Sequence, residues 1–254
     1  MHPDRLTPQE LETYRRDGFV VARALASAER VSALRDLVLR HLREEIGPAE
    51  YEADLHYPGA PASRDAPGGS TTRRLLQAYA RDPAFRDWAS SSEVTSPLRQ
   101  LLGEGVMLSQ SHHNCVMTKQ PRYSSLTGWH QDIRYWSFQH PELVSLWLAL
   151  GREFPDNGCL WFLPGSHLME LARERLDDAL FLREDLPENQ MLIATRVAPR
   201  LEPGDAVYFH CRTFHAAGSN RTDQPKLSPV FTYHAASNAP VAGTRSASLP
   251  SIEV

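Results

Sequence analysis

The sequence contains few cysteines, no long apolar run and no basic block. Its 254 residues include three cysteines, Cys115, Cys159 and Cys211. Their odd number and the lack of CxxC spacing argue against a disulfide framework or a zinc–cysteine site, and favour a reducing, cytoplasmic setting. No run approaches the roughly 18 apolar residues of a membrane span. The polar N-terminus lacks the apolar core of a signal peptide. We therefore expect no membrane partner.

The charge balance argues against nucleic-acid binding. Lysine and arginine total 27 against 31 acidic residues, for a formal net charge of −4. Nucleic-acid-binding domains concentrate Lys and Arg on one surface, and no such concentration is visible. The hydrophobic fraction of 41% is ordinary for a globular chain. We expect one domain over residues 1–254, as a monomer or homodimer, with a small-molecule substrate.

The N-terminal third is predicted to be helical. Thr7 and Glu10 form a capping box at the start of a first helix, and Gly18 is suited to end it. Ser27 begins a second helix, whose apolar residues recur at intervals of three and four. Two more helices are predicted near residues 83–90 and 95–103.

From about residue 105, short β-rich runs alternate with turn signals. This pattern is typical of a sandwich or barrel. Three irregular segments are candidate lids: a loop at 56–72, an insert at 168–195 and a tail at 237–254. We expect a helix over 168–182 within the insert. The tail is rich in Ala, Ser, Pro and Gly, so we expect a flexible flap.

A candidate metal site begins at His130 and Asp132, in the stretch GWHQDIRYW. In an extended chain, alternate side chains share a face, so both residues can reach one ion. A third ligand must come from elsewhere, and His215 or His210 is available. Two histidines and one carboxylate form the facial triad of non-haem Fe(II) oxygenases. With 11 histidines in the chain, spacing by itself leaves the third ligand open.

Several motifs resemble, in order and spacing, the phytanoyl-CoA dioxygenase family of Fe(II)/2-oxoglutarate-dependent oxygenases. The opening LTPQELETYRRDGFVV is also similar, and the resemblance covers most of the chain outside the three irregular segments. The matching blocks are WHQD at 129–132, NGCL at 157–160, LPGSH at 163–167, and the series Gly204, Asp205, Phe209, His210, His215, Gly218 and Asn220.

The resemblance implies a fold, a metal site and a reaction. The fold is mainly β with α: a double-stranded β-helix (jelly-roll, cupin-like) core with the N-terminal helices packed outside. His130, Asp132 and His215 would be the catalytic residues that bind Fe(II). 2-Oxoglutarate and O2 would be co-substrates, and hydroxylation of an unactivated C–H bond would release succinate and CO2. Because Asp132 is present, hydroxylation is favoured over halogenation. A non-oxidative metal-dependent enzyme and a non-catalytic binding module on the same β-barrel fold are alternatives.

The expected co-substrate anchor departs from the family. An arginine eleven residues after the second ligand histidine usually holds the far carboxylate of 2-oxoglutarate, and here that position is Lys226. Ser228, two positions on, shares its strand face. A lysine is a compact point charge, whereas an arginine grips a carboxylate with a planar fork. Arg212 and Arg221 are alternative sources of charge.

Other candidates lie on the strand before the metal motif. Gln110 and Asn114 share a predicted face with His112 and are expected to line the co-substrate site, and Lys119 is expected to be a further cofactor-binding residue. His113 would face the opposite side. Two positions after His215, where the family often has serine, this chain has alanine.

Substrate contacts are expected beside the metal ligands. We expect Arg73 and Arg74, which precede this region, to be surface charges. The residues expected to bind substrate are Gln131, Arg134, Tyr135 and Trp136.

Overall fold

The computed structural model describes residues 5–55 and 57–254. Residues 1–4 and residue 56, the first of the predicted loop, lie outside the described residues. The helices are α1 (Pro8–Asp17), α2 (Ala28–Arg43), α3 (Ala78–Arg81), α4 (Pro83–Ala89), α5 (Ser92–Leu102) and α6 (Pro187–Ala194). The strands are β1 (Phe19–Ala22), β2 (Ala49–Tyr51), β3 (Thr72–Leu76), β4 (Val106–Lys119), β5 (Thr127–His130), β6 (Leu143–Leu148), β7 (Leu160–Phe162), β8 (Ala206–His210), β9 (His215–Ala217), β10 (Lys226–Ala235) and β11 (Ile252–Glu253).

The strands form two antiparallel sheets that pack against each other. The larger sheet has the order β1-β8-β6-β10-β4-β3-β2, with β11 added beside β4, and the smaller has the order β5-β9-β7. Phe162 of the smaller sheet stacks on Phe19 at 4.5 Å and contacts Phe209 at 5.5 Å, both in the larger sheet. This is the expected double-stranded β-helix, and its interior lies between the two sheets.

The N-terminal helices cover the outer face of the larger sheet, as predicted. Phe85 and Trp88 of α4 are fully buried in the same hydrophobic core as Tyr208 and Tyr233 of the sheet. The Tyr233 hydroxyl donates to the carbonyl of Ala89 at 2.8 Å. Burial of these large side chains fixes the helices to the sheet. Within the described part of the chain, no helix has the length and apolar character needed to cross a bilayer.

The predicted helix boundaries near the N-terminus are confirmed. The Thr7 side chain accepts a hydrogen bond from the Glu10 N–H at 3.2 Å, and the Thr7 N–H donates to the Glu10 carboxylate at 2.7 Å. Gly18 ends α1 with a φ of 81°, and Ser27 caps α2. These signals worked because each acts within one turn of the backbone.

The helix predicted over 168–182 is wrong. This part of the insert consists of short turns, and Leu176 pairs with Leu182 in an isolated antiparallel bridge. Leu180 has a φ of 62°, which a right-handed helix cannot contain. The helix of the insert is α6, and it begins at Pro187, a residue suited to the first helical position.

The prediction of a flexible tail is also wrong. β11 extends the sheet, with Ile252 opposite Leu108 of β4. Arg99 of α5 donates to the carbonyl of Val254 at 3.2 Å. Ser246 is 1% exposed and lies 2.7 Å from a histidine of β4. Backbone pairing and serine hydroxyls hold the tail, and neither leaves a hydrophobic pattern in the sequence.

Two glycines allow a matched test of packing. Gly18 and Gly165 have nearly the same backbone conformation, with φ and ψ of 81° and 2°, and of 75° and −4°. A Cβ at Gly18 would overlap the Thr213 hydroxyl and lie 2.5 Å from His167 Nδ1, whereas at Gly165 it would come no closer than 3.5 Å to the Arg16 carbonyl. We expect Gly165→Ala to lower the free energy of unfolding by about 1–2 kcal/mol. Gly18→Ala should cost about 1–3 kcal/mol more, as measured by urea denaturation. If both variants lose the same free energy of unfolding, the contacts of Gly18 with Thr213 and His167 do not contribute to stability.

Candidate active site

The smaller sheet brings His130, Asp132 and His215 together. In the register of β5 and β9, His130 lies directly opposite His215. Asp132 begins a 3-10 turn just after β5. One possible ligand atom from each residue lies within 4.8 Å of the others. Asp132 Oδ1 is 3.8 Å from His130 Nε2 and 3.6 Å from His215 Nε2. Strand pairing therefore places the three side chains of the predicted set around one point.

Both imidazoles are oriented by the backbone. His130 Nδ1 donates to the carbonyl of Gly128 at 2.8 Å, and His215 Nδ1 donates to the carbonyl of Thr213 at 3.0 Å. Because a carbonyl only accepts, each Nδ1 carries the proton and each Nε2 lone pair is free to bind a metal. Burial, and then the neighbouring His215, lower the pKa of His130 well below its usual value. His130 is thus neutral, as a metal ligand must be.

The Asp132 carboxylate shows that the set fits a cation. Asp132 is completely buried, and neither of its side-chain oxygens accepts a hydrogen bond from the described residues. A buried carboxylate without donors or a counter-charge is costly. A divalent cation between Asp132, His130 and His215 would use all three free ligand atoms and compensate the charge. Two nitrogens and one oxygen, with further positions open, is the set that non-haem iron prefers.

His210 does not belong to this set. Its Nε2 lies 3.0 Å from the carboxylate of Glu142, and its Nδ1 accepts from the backbone N–H of Arg212 at 3.1 Å. Both ring nitrogens are therefore engaged away from Asp132. The structure thus places His215 in the metal site.

A cavity of about 430 Å³ opens beside the metal ligands. Its walls come from both sheets, the 56–72 loop and the tail. The prediction that Arg73 and Arg74 are surface charges is wrong, since Arg73 is 2% exposed and both line the cavity. The reason is the pairing of β3 with β4, which the sequence did not reveal. The cationic side chains of the wall are Arg73, Arg74, Lys119, Lys226 and Arg245.

Lys226 and Ser228 lie on one face of β10, as expected. Lys226 Nζ donates to the Ser228 hydroxyl at 3.3 Å and lies 4.6 Å from the centre of the Trp147 ring. Lys226 lines the cavity, whereas Arg212 and Arg221 do not. Of the three cations considered from the sequence, only Lys226 is in position to meet a ligand there.

Glu153, which the sequence analysis missed, is the ionic partner of Lys226. Glu153 Oε2 is 3.5 Å from Lys226 Nζ, and each side chain is 1% exposed. Glu153 Oε1 accepts hydrogen bonds from Trp147 Nε1 at 2.9 Å and from the Ser228 hydroxyl at 2.7 Å. The expected anchor cation is therefore already paired within the protein. No local sequence motif predicts this contact, because Glu153 and Lys226 come together only when the strands form the sheet.

Lys119 lies directly opposite Lys226 in the register of β4 and β10. It is 3% exposed, and its ammonium donates to the carbonyl of Ser125 at 2.5 Å. Burial, and then the charges of Arg73 and Lys226, lower the pKa of Lys119 to about 7. Among the described residues, no carboxylate forms an ion pair with it. Lys119 is thus a buried cation that lacks an anion.

The two arginines of β3 have anionic partners. Arg73 donates to the Ser125 hydroxyl at 2.7 Å and lies 3.5 Å from the Glu52 carboxylate. Arg74 donates to the Glu50 carboxylate at 2.7 Å. These pairs hold the arginines against the wall and leave Lys119 as the uncompensated charge.

β4 is irregular where regular alternation was predicted. Its register against β10 shifts between the pairs made by Ser109 and Asn114, so the residues between them bulge. As a result, His112 and His113, expected on opposite faces, both line the cavity. His113 Nδ1 comes 3.3 Å from Asp132 Oδ2, without hydrogen-bond geometry.

The two polar candidates of β4 both line the cavity but are held differently. The Asn114 side-chain oxygen accepts from the backbone N–H of Tyr79 at 2.8 Å. Gln110 Nε2 donates to the carbonyl of Pro250 in the tail at 2.7 Å. Asn114 therefore belongs to the wall beneath α3, and Gln110 to the wall formed by the tail.

The four predicted substrate residues separate into two pairs. Tyr135 and Trp136 line the cavity, whereas Gln131 and Arg134 are not among its lining residues. Gln131 Nε2 donates at 2.5 Å to a backbone carbonyl between β8 and β9. The Arg134 guanidinium packs on the ring of Phe181 at 3.7 Å. The 3-10 turn after β5 separates these side chains, because it replaces the alternation of a strand.

Three aromatic rings from distant segments meet near His130. Tyr57 of the predicted loop and Phe181 of the insert pack edge to face with ring centres 6.0 Å apart. Phe181 also contacts the His130 ring at 5.6 Å, and the Tyr57 and Tyr135 hydroxyls are 3.4 Å apart. The loop and the insert thus close over the metal site as candidate lids. Tyr57 and Phe181 are single aromatic residues within irregular segments. They were the sequence signal for a contact over the metal site, and the sequence analysis missed them.

The tail forms a further wall of the cavity. The Ser246 hydroxyl accepts from the Ser137 N–H at 2.8 Å and lies 2.7 Å from His112 Nε2. Burial, and then the charge of Arg245, lower the pKa of His112 to about 3. His112 is therefore neutral, and its hydrogen bond fixes the tail beside the cavity.

Fold and site together define a class of protein. A double-stranded β-helix that holds a His–Asp–His set beside an enclosed cavity is a non-haem Fe(II)/2-oxoglutarate-dependent dioxygenase. The model of the phytanoyl-CoA dioxygenase (PhyH) family matches residues 14–228, and the chain belongs to that family.

Known proteins resemble the chain over nearly its whole length. The ectoine dioxygenase of Sphingopyxis alaskensis is 27% identical over 250 residues, which are 92% of this chain and 77% of the relative. Phytanoyl-CoA dioxygenase domain-containing protein 1 of Bos taurus is 26% identical over 273 residues, or 90% and 89% of the two chains.

Solved structures share the fold. EctD from S. alaskensis with bound Fe matches with a TM-score of 0.76 at 21% identity, covering 98% of this chain and 84% of EctD. The epimerase SnoN in complex with Fe3+, alpha ketoglutarate and nogalamycin RO matches with a TM-score of 0.72 at 24% identity, covering 91% and 84%.

Substitution of the two candidate histidines tests the metal site. We expect His215→Ala to weaken Fe(II) binding by more than the roughly 10–100-fold that loss of an outer partner costs, because a ligand atom is removed. His210→Ala should leave the affinity unchanged, since His210 is engaged by Glu142. Anaerobic equilibrium dialysis measures both. Loss of iron from His210→Ala but not from His215→Ala would reverse the assignment.

Proposed function

We propose that this protein is a hydroxylase of a small-molecule metabolite, with His130, Asp132 and His215 as its iron ligands and the whole chain as one catalytic domain. The observation that carries the proposal is the buried Asp132 carboxylate, which accepts no hydrogen bond from any described residue and faces two oriented imidazoles. The intact ligand set favours an enzyme over a binding module. Iron and 2-oxoglutarate, with O2, would supply the oxidising power and yield succinate and CO2.

The protein itself orients the ligands and excludes water. Hydrogen bonds from Nδ1 fix the rings of His130 and His215. Phe209 and Phe162 contact the His215 ring at 5.1 Å and 6.2 Å, and so form an apolar wall behind it. Such a dry environment strengthens the electrostatic interactions of the site and limits side reactions. Because Asp132 provides a carboxylate, no ligand position is left for a halide, which favours hydroxylation.

The co-substrate would extend from the iron toward β10 and β4. 2-Oxoglutarate carries a second carboxylate far from the metal, and this group needs a cation. Lys226 and Lys119 face each other across the strand pair and are both buried. Ser228 adds an oriented hydroxyl, and Asn114 lines the same cavity. We assign the far carboxylate to these residues.

The substrate would occupy the remaining space, between the lids and the tail. Tyr135 and Trp136 line this part of the cavity, together with Gln110 and Arg245. Gln131 and Arg134 would act indirectly, by holding the turn that presents Tyr135. An ectoine dioxygenase among the relatives supports a small-molecule substrate for this site.

An anaerobic titration tests the function. We expect 2-oxoglutarate to produce a visible charge-transfer absorption when it is added to the Fe(II)-loaded protein, because chelation of the iron creates that transition. His215→Ala, treated in the same way, should show none. A folded, iron-loaded wild-type protein that gives no such band at any 2-oxoglutarate concentration contradicts the proposal.

The pKa of Lys119, about 7, predicts a pH dependence of co-substrate binding. A bound carboxylate favours the charged ammonium, so above pH 7 binding requires uptake of a proton. The Kd for 2-oxoglutarate should therefore rise between pH 7 and 9, by up to roughly tenfold per pH unit. Arg73, Lys226 and Glu52 also face Lys119, so the control is Lys119→Met, in which the rise should disappear.

Calorimetry in two buffers of different ionisation enthalpy measures both the affinity and the proton uptake. An identical pH dependence in wild type and Lys119→Met would remove Lys119 from the co-substrate site.

A further inference from the structure

Apart from Arg245 of the tail and Asp132 of the metal site, the charged side chains beside the cavity form a nearly balanced group, which we call the anchor cluster. Its cations are Arg73, Arg74, Lys119 and Lys226, and its carboxylates are Glu50, Glu52 and Glu153. Each carboxylate pairs with one of the cations. Of the four cations of the anchor cluster, Lys119 alone forms no ion pair with a carboxylate of the described residues. Four cations and three carboxylates leave one positive charge, which a single ligand carboxylate would neutralise.

Glu153 is the unexpected member of the cluster. Trp147 and Ser228 both donate to its Oε1, which fixes the side chain. Its Oε2 is buried and accepts no hydrogen bond from the described residues, although it lies 3.5 Å from Lys226 Nζ. A carboxylate at this point repels any other carboxylate that approaches Lys226. A buried negative charge beside an anion-binding cation therefore needs a reason.

The chemistry of lysine explains why a buried carboxylate lies beside Lys226. An arginine presents a planar fork that sets its own geometry toward a carboxylate, whereas a lysine ends in a compact charge on a flexible stem. Lys226 has three N–H donors. Ser228 takes one, and Glu153 attracts a second. No further acceptor of the described residues engages the third, and Lys119 lies opposite Lys226 in the strand register.

We infer that Glu153 is a positioning and specificity residue for the co-substrate: it holds the Lys226 ammonium in place and lowers the affinity of the pocket for 2-oxoglutarate. This inference rests on the proposed function of the site. Because Glu153 neutralises Lys226, the net attraction for the far carboxylate comes from Lys119. The pocket then matches a co-substrate with one carboxylate at its far end, and a second anionic group there would be repelled.

Glu153→Gln tests the inference, because glutamine keeps the size of the side chain and an acceptor for Trp147 while it removes the charge. We expect 2-oxoglutarate to bind roughly tenfold more tightly or better. The affinity is measured by anaerobic titration of the charge-transfer band, and by calorimetry on protein loaded with Mn(II). Asp205→Asn is the matched control. Asp205 is likewise buried and paired with Arg23 at 2.7 Å, but it lies outside the cavity. Its substitution should leave the affinity unchanged.

A second pair of variants guards against misfolding. Glu153→Gln leaves the Lys226 charge without its partner, so the double variant Glu153→Gln with Lys226→Met replaces the whole ion pair by neutral groups. We expect the double variant to bind 2-oxoglutarate more tightly than Lys226→Met, in which the Glu153 charge remains.

The outcomes distinguish a failure of the inference about Glu153 from a failure of the proposed function. If wild-type protein binds 2-oxoglutarate but neither removal of the Glu153 charge tightens binding, Glu153 has a structural role and the inference is overturned. A fall in unfolding temperature without a gain in affinity leads to the same conclusion. If wild-type protein does not bind 2-oxoglutarate at all, the proposed function itself fails.

Discussion

The burial of Asp132 between two oriented imidazoles is the constraint on which the rest of the structure depends. A carboxylate without donors is tolerated in a protein interior only when a positive charge compensates it. Pairing of β5 with β9 sets His130 opposite His215. Phe162 of the smaller sheet packs against Phe209 of the larger sheet, and both rings contact His215 and keep the site dry. The metal site is therefore a product of both sheets, and neither sheet holds it independently.

The same need for charge compensation organises the other end of the cavity. Where the family resemblance predicts an arginine, this chain has Lys226, whose compact ammonium contacts Ser228 and Glu153. Lys119 stays uncompensated and loses much of its basicity to burial. A co-substrate carboxylate would restore the balance at this end, as a cation would at Asp132. One end of the cavity thus requires a cation at Asp132, and the other end requires an anion at Lys119.

The segments that resemble the family least lie over the site. Tyr57 from the loop and Phe181 from the insert meet near His130, and the tail is fastened to β4 through Ser246. These walls are built from aromatic contacts, backbone pairing and serine hydroxyls. Because the loop and the tail contribute Tyr57, Arg245 and Leu249 to the cavity wall, variation in these segments would change the shape of the cavity while the metal ligands stay the same.

The sequence determined the features whose physics is local. The capping box at Thr7, the end of α1 at Gly18 and the convergence of His130 and Asp132 need only neighbouring residues. Among the long-range features, the choice of His215 over His210 came from ordered family motifs, since spacing left both open. Only the tertiary structure decided the burial of Arg73, the bulge in β4, the docked tail and the partnership of Glu153 with Lys226. Each of these depends on which strands become neighbours, and a charged or irregular segment carries no periodic signal of the partner it will meet.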